Sequence, residues 1–202
     1  MSRPISRQTI FLLMVIWAVL AGGSVVMLSA FSNEQKEDAA GFKEFADRVQ
    51  DYVKLRKAAE SILPPLKPTD VPEVIAAHQQ ALSRKIREAR PRARAGDIFT
   101  PRAREAFRHA IQGEFSGSQA ANIHATLKQG VTVRGVRLGV NAVYPDGLAH
   151  TTVPPSLLLR FPKLPAELAY GIVDRDLVLF DSKANLVVDL AAGAIPQATA
   201  EH

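Results

Sequence analysis

The hydrophobic pattern of the chain changes character in steps. Ile10 to Phe31 (IFLLMVIWAVLAGGSVVMLSAF) is a nearly unbroken apolar run, and no formal charge falls between Arg7 and Glu34. Over residues 42–63 the apolar positions Phe42, Phe45, Val49, Tyr52, Val53, Ala59, Ile62 and Leu63 recur at three and four. That period predicts a helix with one buried stripe, stopped by Pro64-Pro65. Beyond the linker LKPTDVP, Asp70 with Glu73 three residues on predicts a capping box. It opens a second helix to about Arg90, with the stripe Val71, Val74, Ile75, His78, Leu82 and Ile86. Thr100-Pro101 predicts an N-cap and a first-turn proline for a third helix that buries Ala103, Phe107, Ala110, Ile111 and Phe115.

From about residue 116 the period shortens. A short helix is expected around Gln119 to Leu127, and VTVRGVRLGVNAVY then alternates with a phase slip at Gly135, the mark of a bulged strand. Tyr144-Pro145-Asp146-Gly147 predicts a turn, and PPSLLLRFPKLP one helical turn between prolines. LAYGIV, LVLF and LVVDL, parted by DRD and DSKAN, predict strand, turn, strand, turn, strand. The expected fold class is α+β: an N-terminal transmembrane or signal helix, three main amphipathic helices, and a small C-terminal antiparallel β-meander of three or four strands carrying the helices on one face. The expected organisation is 1–33 anchor or signal peptide, 34–116 helical, 117–192 β-rich and packed on the helices, and 193–202 a flexible tail.

The apolar run governs location. As a helix it extends about 33 Å, enough to cross a hydrocarbon core. Arg3 and Arg7 precede it and the acidic-leaning EQKED follows. The positive-inside rule then places the N-terminus in the cytoplasm and the body in the periplasm, on a single pass of the inner membrane through residues 10–31. The alternative is a signal peptide cut near Ala21-Gly22-Gly23 or after Ala30, leaving a soluble periplasmic body. The first cut leaves SVVMLSAF exposed, and the second puts Leu28 where a small residue is preferred. The uncleaved anchor is therefore the preferred reading.

Composition sharpens this picture in two places. The 202 residues are 47% hydrophobic and 22% charged, the balance of a globular chain, and contain no cysteine. Thiolate chemistry, disulfides, cysteine zinc sites and a lipid-modified cysteine are thereby excluded. The net charge of +5 is concentrated in residues 84–110, where Arg84, Lys85, Arg87, Arg90, Arg92, Arg94, Arg102, Arg104 and Arg108 face only Glu88, Asp97 and Glu105. Solvated helix faces account for such a run; the sharper reading is a contact with anionic lipid headgroups or an anionic envelope protein. Nucleic acid is not expected, because the anchor keeps the body out of the cytoplasm and Phe99 and Phe107 are the only aromatics at hand for stacking.

Candidate chemistry is sparse. Glu105 and His109 stand four apart on one helix face, a weak candidate pair of metal ligands. His78, His124 and His150 have no paired spacing, and His78 reads as a partly buried core histidine. GVRLGV lacks the spacing of a dinucleotide loop, GEFSGS lacks the lysine of a phosphate loop, and Ser116 sits in no nucleophile elbow. No cofactor and no enzymatic activity are expected. The chain reads as a non-enzymatic, membrane-anchored interaction or structural protein of the envelope, with a soluble periplasmic ligand- or metal-binding module as the alternative. Its oligomeric state is left open by a meander whose edge strands can pair with another chain.

The stretches GDIFTPRAREAFR (96–108), YPDGLAHTTVPPSLLLRFP (144–162) and PKLPAELAYGIVDRDLVLFDSKANLVVDL (162–190) together resemble a family of exported or membrane-anchored bacterial proteins with no assigned activity. That resemblance implies a bacterial, envelope-facing setting and carries over no catalytic residue. The ending Tyr170 to Leu190 is also similar to the C-terminal strands of small periplasmic metal-homeostasis proteins of the nickel/cobalt type, over this tail alone.

Overall fold

The computed structural model describes residues 7–116, 138–144 and 151–196, with side chains from residue 33 onward except those of 151 and 152. Two compact units divide the chain, Met1–Glu37 and Asp38–His202. The elements are α1 (Arg7–Ser61), α2 (Pro72–Ala89), α3 (Pro101–Phe115), β1 (Thr151–Thr152), α4 (Pro155–Arg160), β2 (Leu168–Val173), β3 (Asp176–Asp181) and β4 (Leu186–Ala191). The fold is α+β. The side chains of Ile10 to Phe31 lie outside those described, and among the described residues no helix is long and apolar enough to cross a membrane. The helix expected at 119–127, the bulge expected at Gly135 and the turn beyond Tyr144 also lie outside the described residues.

In the second unit, α1 buries Phe45, Val49, Tyr52, Val53 and Ala59, as its period predicts. Arg56 lies on the same stripe and is also buried, while Ile62, beyond the helix end, is 69% exposed. Gly41 sets the approach of α1 to α3: a Cβ there would lie 2.7 Å from the Arg102 carbonyl oxygen and 3.0 Å from the Ala106 Cβ. Thr100 caps α3 as expected, its hydroxyl accepting from the Ala103 N–H at 3.3 Å. Phe107 on α3 is the hub of the aromatic core, with ring centroids at 5.1 Å from Phe42, 4.9 Å from Phe45, 5.1 Å from Phe99 and 4.7 Å from Phe161. Glu114, on the same helix, is buried and pairs with Arg160 of α4.

α2 departs from expectation at its start. Its N-cap is Val71 without a side-chain hydrogen bond, so the Asp70–Glu73 capping box does not form. Pro72 in the first turn removes one of the unpaired N–H groups instead. Of the expected stripe only Leu82 and Ile86 are buried, and Val71 and Val74 remain open to solvent.

The four strands run in the order β1-β2-β3-β4, each pair antiparallel. Leu168 and Ile172 of β2, Leu177 and Leu179 of β3, and Leu186 of β4 join the helices in one core. The opposite face is also covered: Val178, Phe180 and Val187 form a second cluster with Tyr144, and Leu138 packs against it. Residues 138–144 therefore do not continue an alternating strand as expected. They turn at Val140-Asn141, where Asn141 takes a φ of 64°, and touch β4 through an isolated bridge, Val143 to Leu186. The segment expected as a flexible tail is packed as far as Ile195, whose N–H donates to the Arg175 carbonyl at 3.0 Å.

The register between β3 and β4 shifts once. Phe180 pairs with Val187 but Leu179 pairs with Asp189, leaving Val188 as the extra residue of a bulge. Paired residues in an antiparallel ladder share a face, so the bulge turns Asp189 from the outer face to the helix face of the sheet. Asp181, paired with Leu186, stands on that face as well.

Candidate functional site

These two fully buried carboxylates gather the polar interior of the second unit. Asp181 accepts from the Tyr52 hydroxyl at 2.9 Å, from Arg56 Nε at 2.8 Å, and from the N–H groups of Lys183 at 3.1 Å and Ala184 at 2.9 Å. It thus closes its own hairpin turn and holds α1 to the sheet. Asp189 accepts from the N–H groups of Gly96 at 2.9 Å, Ile98 at 2.6 Å and Phe99 at 2.7 Å, and so holds the loop between α2 and α3. Arg56 also donates Nη1 to Glu60 at 2.8 Å. Arg90 lies over the Tyr52 ring, 5.3 Å from its centroid, and donates Nη2 to the Val188 carbonyl at 3.1 Å.

Burial, together with the facing Asp181 carboxylate, pushes the Tyr52 phenol far above its ordinary value, and burial does the same to Tyr170. Burial lowers Arg90 from the usual guanidinium range. The hydroxyl of Tyr52 is therefore a donor held in its neutral form. These groups are engaged in packing: each carboxylate oxygen of Asp181 and Asp189 meets protein donors, as buried carboxylates require.

The nine cations of residues 84–110 separate into several environments. Arg90 is an internal group, half-buried against Tyr52, and not part of a free surface. Lys85 pairs with Glu88 at 2.7 Å on α2, Arg94 with Asp97 at 3.8 Å in the following loop, and Arg108 with Glu105 on α3. Arg87 donates to the Ser83 carbonyl at 3.4 Å. Arg102 is exposed on α3, and Arg84 on α2, Arg92 in the loop and Arg104 on α3 are exposed without an ion pair among the described residues.

Glu105 and His109 do meet, Oε1 to Nε2 at 2.9 Å, but the other ring nitrogen faces Asp38 Oδ1 of α1 at 2.8 Å. The imidazole thus bridges α1 and α3 between two carboxylates. Arg108, hydrogen-bonded to Glu105, holds that carboxyl below the usual range. Among the described residues no group of three His, Asp or Glu is arranged to hold a metal ion.

A groove of the second unit lies elsewhere, between the end of α1, the strap Pro64-Pro65-Leu66-Lys67-Pro68 and the first half of α2. It holds about 830 Å³ and is lined by Leu63, Leu66, Ile75 and Leu82, with Lys57, His78 and Lys183 at its edges. It continues along the strap past Lys67 and Val74. Ile62, Leu66, Val71 and Val74, within thirteen residues of chain, account for four of the seven large exposed hydrophobics among the described residues.

Sequence reasoning passed over Asp181, Asp189 and Arg56, although Arg56 and Asp189 carried a signal. Arg56 interrupts an apolar stripe four residues after Tyr52, and Asp189 interrupts the apolar strand LVVDL. A charge inside a buried pattern calls for a partner, and these two are met by Asp181 and by the 96–99 backbone. Comparison with protein-family profiles, with curated proteins and with solved structures finds no match to this chain.

Proposed function

We propose that the chain is a single-pass, signal-anchored envelope protein whose periplasmic body acts by contact with another envelope component and not by catalysis. One observation carries this reading: the charge-free apolar run Ile10 to Phe31, with Arg3 and Arg7 before it and Glu34 to Asp38 after it. The body adds support, since its buried carboxylates Asp181 and Asp189 are engaged in joining helices and loop to sheet while exposed Leu66 and Val74 line one groove. Arg84, Arg92 and Arg104 supply an electrostatic contact with anionic headgroups that weakens as salt rises.

Intact mass of the chain from membrane and soluble fractions, with protease treatment of spheroplasts, tests the proposal. The expected result is full-length protein in the membrane fraction, with the body digested from outside. A soluble product beginning between Ser24 and Phe31 would sink it and leave a freed periplasmic binding module in its place.

A further inference from the structure

We infer that the groove under the proline strap seats an acidic, apolar segment of a partner protein, its large side chains entering between Leu66 and Ile75 and its carboxylates meeting Lys57, Lys67 and Lys183. The inference rests on the reading above, that the protein works by contact, and names where and with what. The apolar part of the argument is that exposed Leu66 lines a groove of about 830 Å³ and exposed Val74 its continuation, with exposed Ile62 and Val71 in the same thirteen residues of chain. Such a volume falls within the range of roughly 300–1,000 Å³ that accepts compact ligand groups. Pro64, Pro65 and Pro68 fix backbone angles along the strap, so little chain entropy is lost when something docks on it.

Charge selects the occupant. Lys57 at the end of α1, Lys67 in the strap and Lys183 in the β3–β4 turn border the groove, and none forms an ion pair among the described residues. The one carboxylate in the lining, Glu60, is engaged by buried Arg56 at 2.8 Å. A segment bearing Asp or Glu beside Leu, Ile or Phe complements this pattern. The chain's own residues 117–137 do not, since they hold Lys128, Arg134 and Arg137 and no acid. A second copy docking by the same patch would bring three lysines against three lysines.

The test uses the full-length chain in detergent micelles and a displayed library of random dodecapeptides, followed by titration of the synthetic winners. Two variants accompany it, Leu66→Asp and the double Lys57→Glu/Lys183→Glu, each checked for an unchanged melt. Selected peptides are expected to be enriched in Asp and Glu beside large apolar residues. Their affinity should fall at least about tenfold in Leu66→Asp, as for a central interface residue, and the charge-reversed variant should select basic peptides instead. Absence of selection, winners without acidic residues, or binding that persists in both variants overturns the inference. A dimer seen by light scattering and dissolved by Leu66→Asp also overturns it, by giving the groove to a second copy. A cleaved, soluble chain that still selects acidic peptides would sink the anchored reading alone; an anchored chain that selects none would sink the groove alone.

Discussion

The two ends of α2 carry the same kind of amphipathic pattern and meet opposite fates. At its C-terminal end Leu82 and Ile86 are fully buried, and Arg90 closes the helix against the Tyr52 ring and the Val188 carbonyl. At its N-terminal end Val71 and Val74 are 43% and 46% exposed, and no side chain caps the first turn. An apolar stripe is buried only where another element offers a face. The sheet, through Asp189 and Val188, reaches the loop and the last turn of α2 but nothing among the described residues closes over its start. One end of the helix belongs to the core, and the other stays open among the described residues.

The comparison can be broken first at Asp189. Asp189→Ala leaves the N–H groups of Gly96, Ile98 and Phe99 buried without their acceptor, and a loss of about 3–5 kcal/mol in urea-monitored stability is expected. A loss below about 1 kcal/mol would mean that the loop after α2 is not held by the sheet. Arg90→Ala removes a ring contact, a hydrogen bond and side-chain packing, and should cost about 1–3 kcal/mol by the same measurement.

Alkali probes the same region. The chain has three tyrosines, and Tyr52, Tyr144 and Tyr170 are all raised, by burial first and for Tyr52 also by Asp181. A folded value above the unfolded one gives stability that is fully present below the unfolded pKa of about 10 and is lost as pH climbs toward the folded value. Phenolate absorbance is therefore expected to appear together with unfolding above about pH 10. Phenolate in a chain that still gives the native near-ultraviolet dichroism would contradict the buried placement of Tyr52.

Native-state hydrogen exchange sharpens the contrast along a single helix. Amides of residues 74–78 should exchange through local opening, well before those of 82–90, which should approach the global rate. Equal protection along α2 would erase the distinction. Val74→Ala carries the smallest effect, within about 0.5 kcal/mol, because its side chain is already half open to water.

Much of the architecture was legible because it rests on local rules. The stripe of α1, the Thr100-Pro101 start of α3, the helical turn at 155–160 and the three main strands follow from periodicity, capping and turn residues. The capping box at Asp70 was misread because a side-chain cap competes with a proline already suited to the first turn, and in the folded chain Val71 takes the cap position. The arginine run looked like one patch because sequence spacing does not tell which cations find partners. Arg90 is held by residues far away in the chain, Tyr52 and Val188, and Glu105 and Asp38 meet only at the His109 ring.

The residues taken alone therefore established the type of the main helices and of strands β2 to β4, an apolar N-terminal run and the absence of cysteine chemistry, since each depends on near neighbours and composition. Tertiary packing decided which face of each element lies inside, and a single bulge at Val188 decided that Asp189 points at the helices. Packing also decided that, among the described residues, nothing closes over the first turns of α2. Local periodicity sets which side chains share a face, but burial depends on whether distant chain arrives to cover that face.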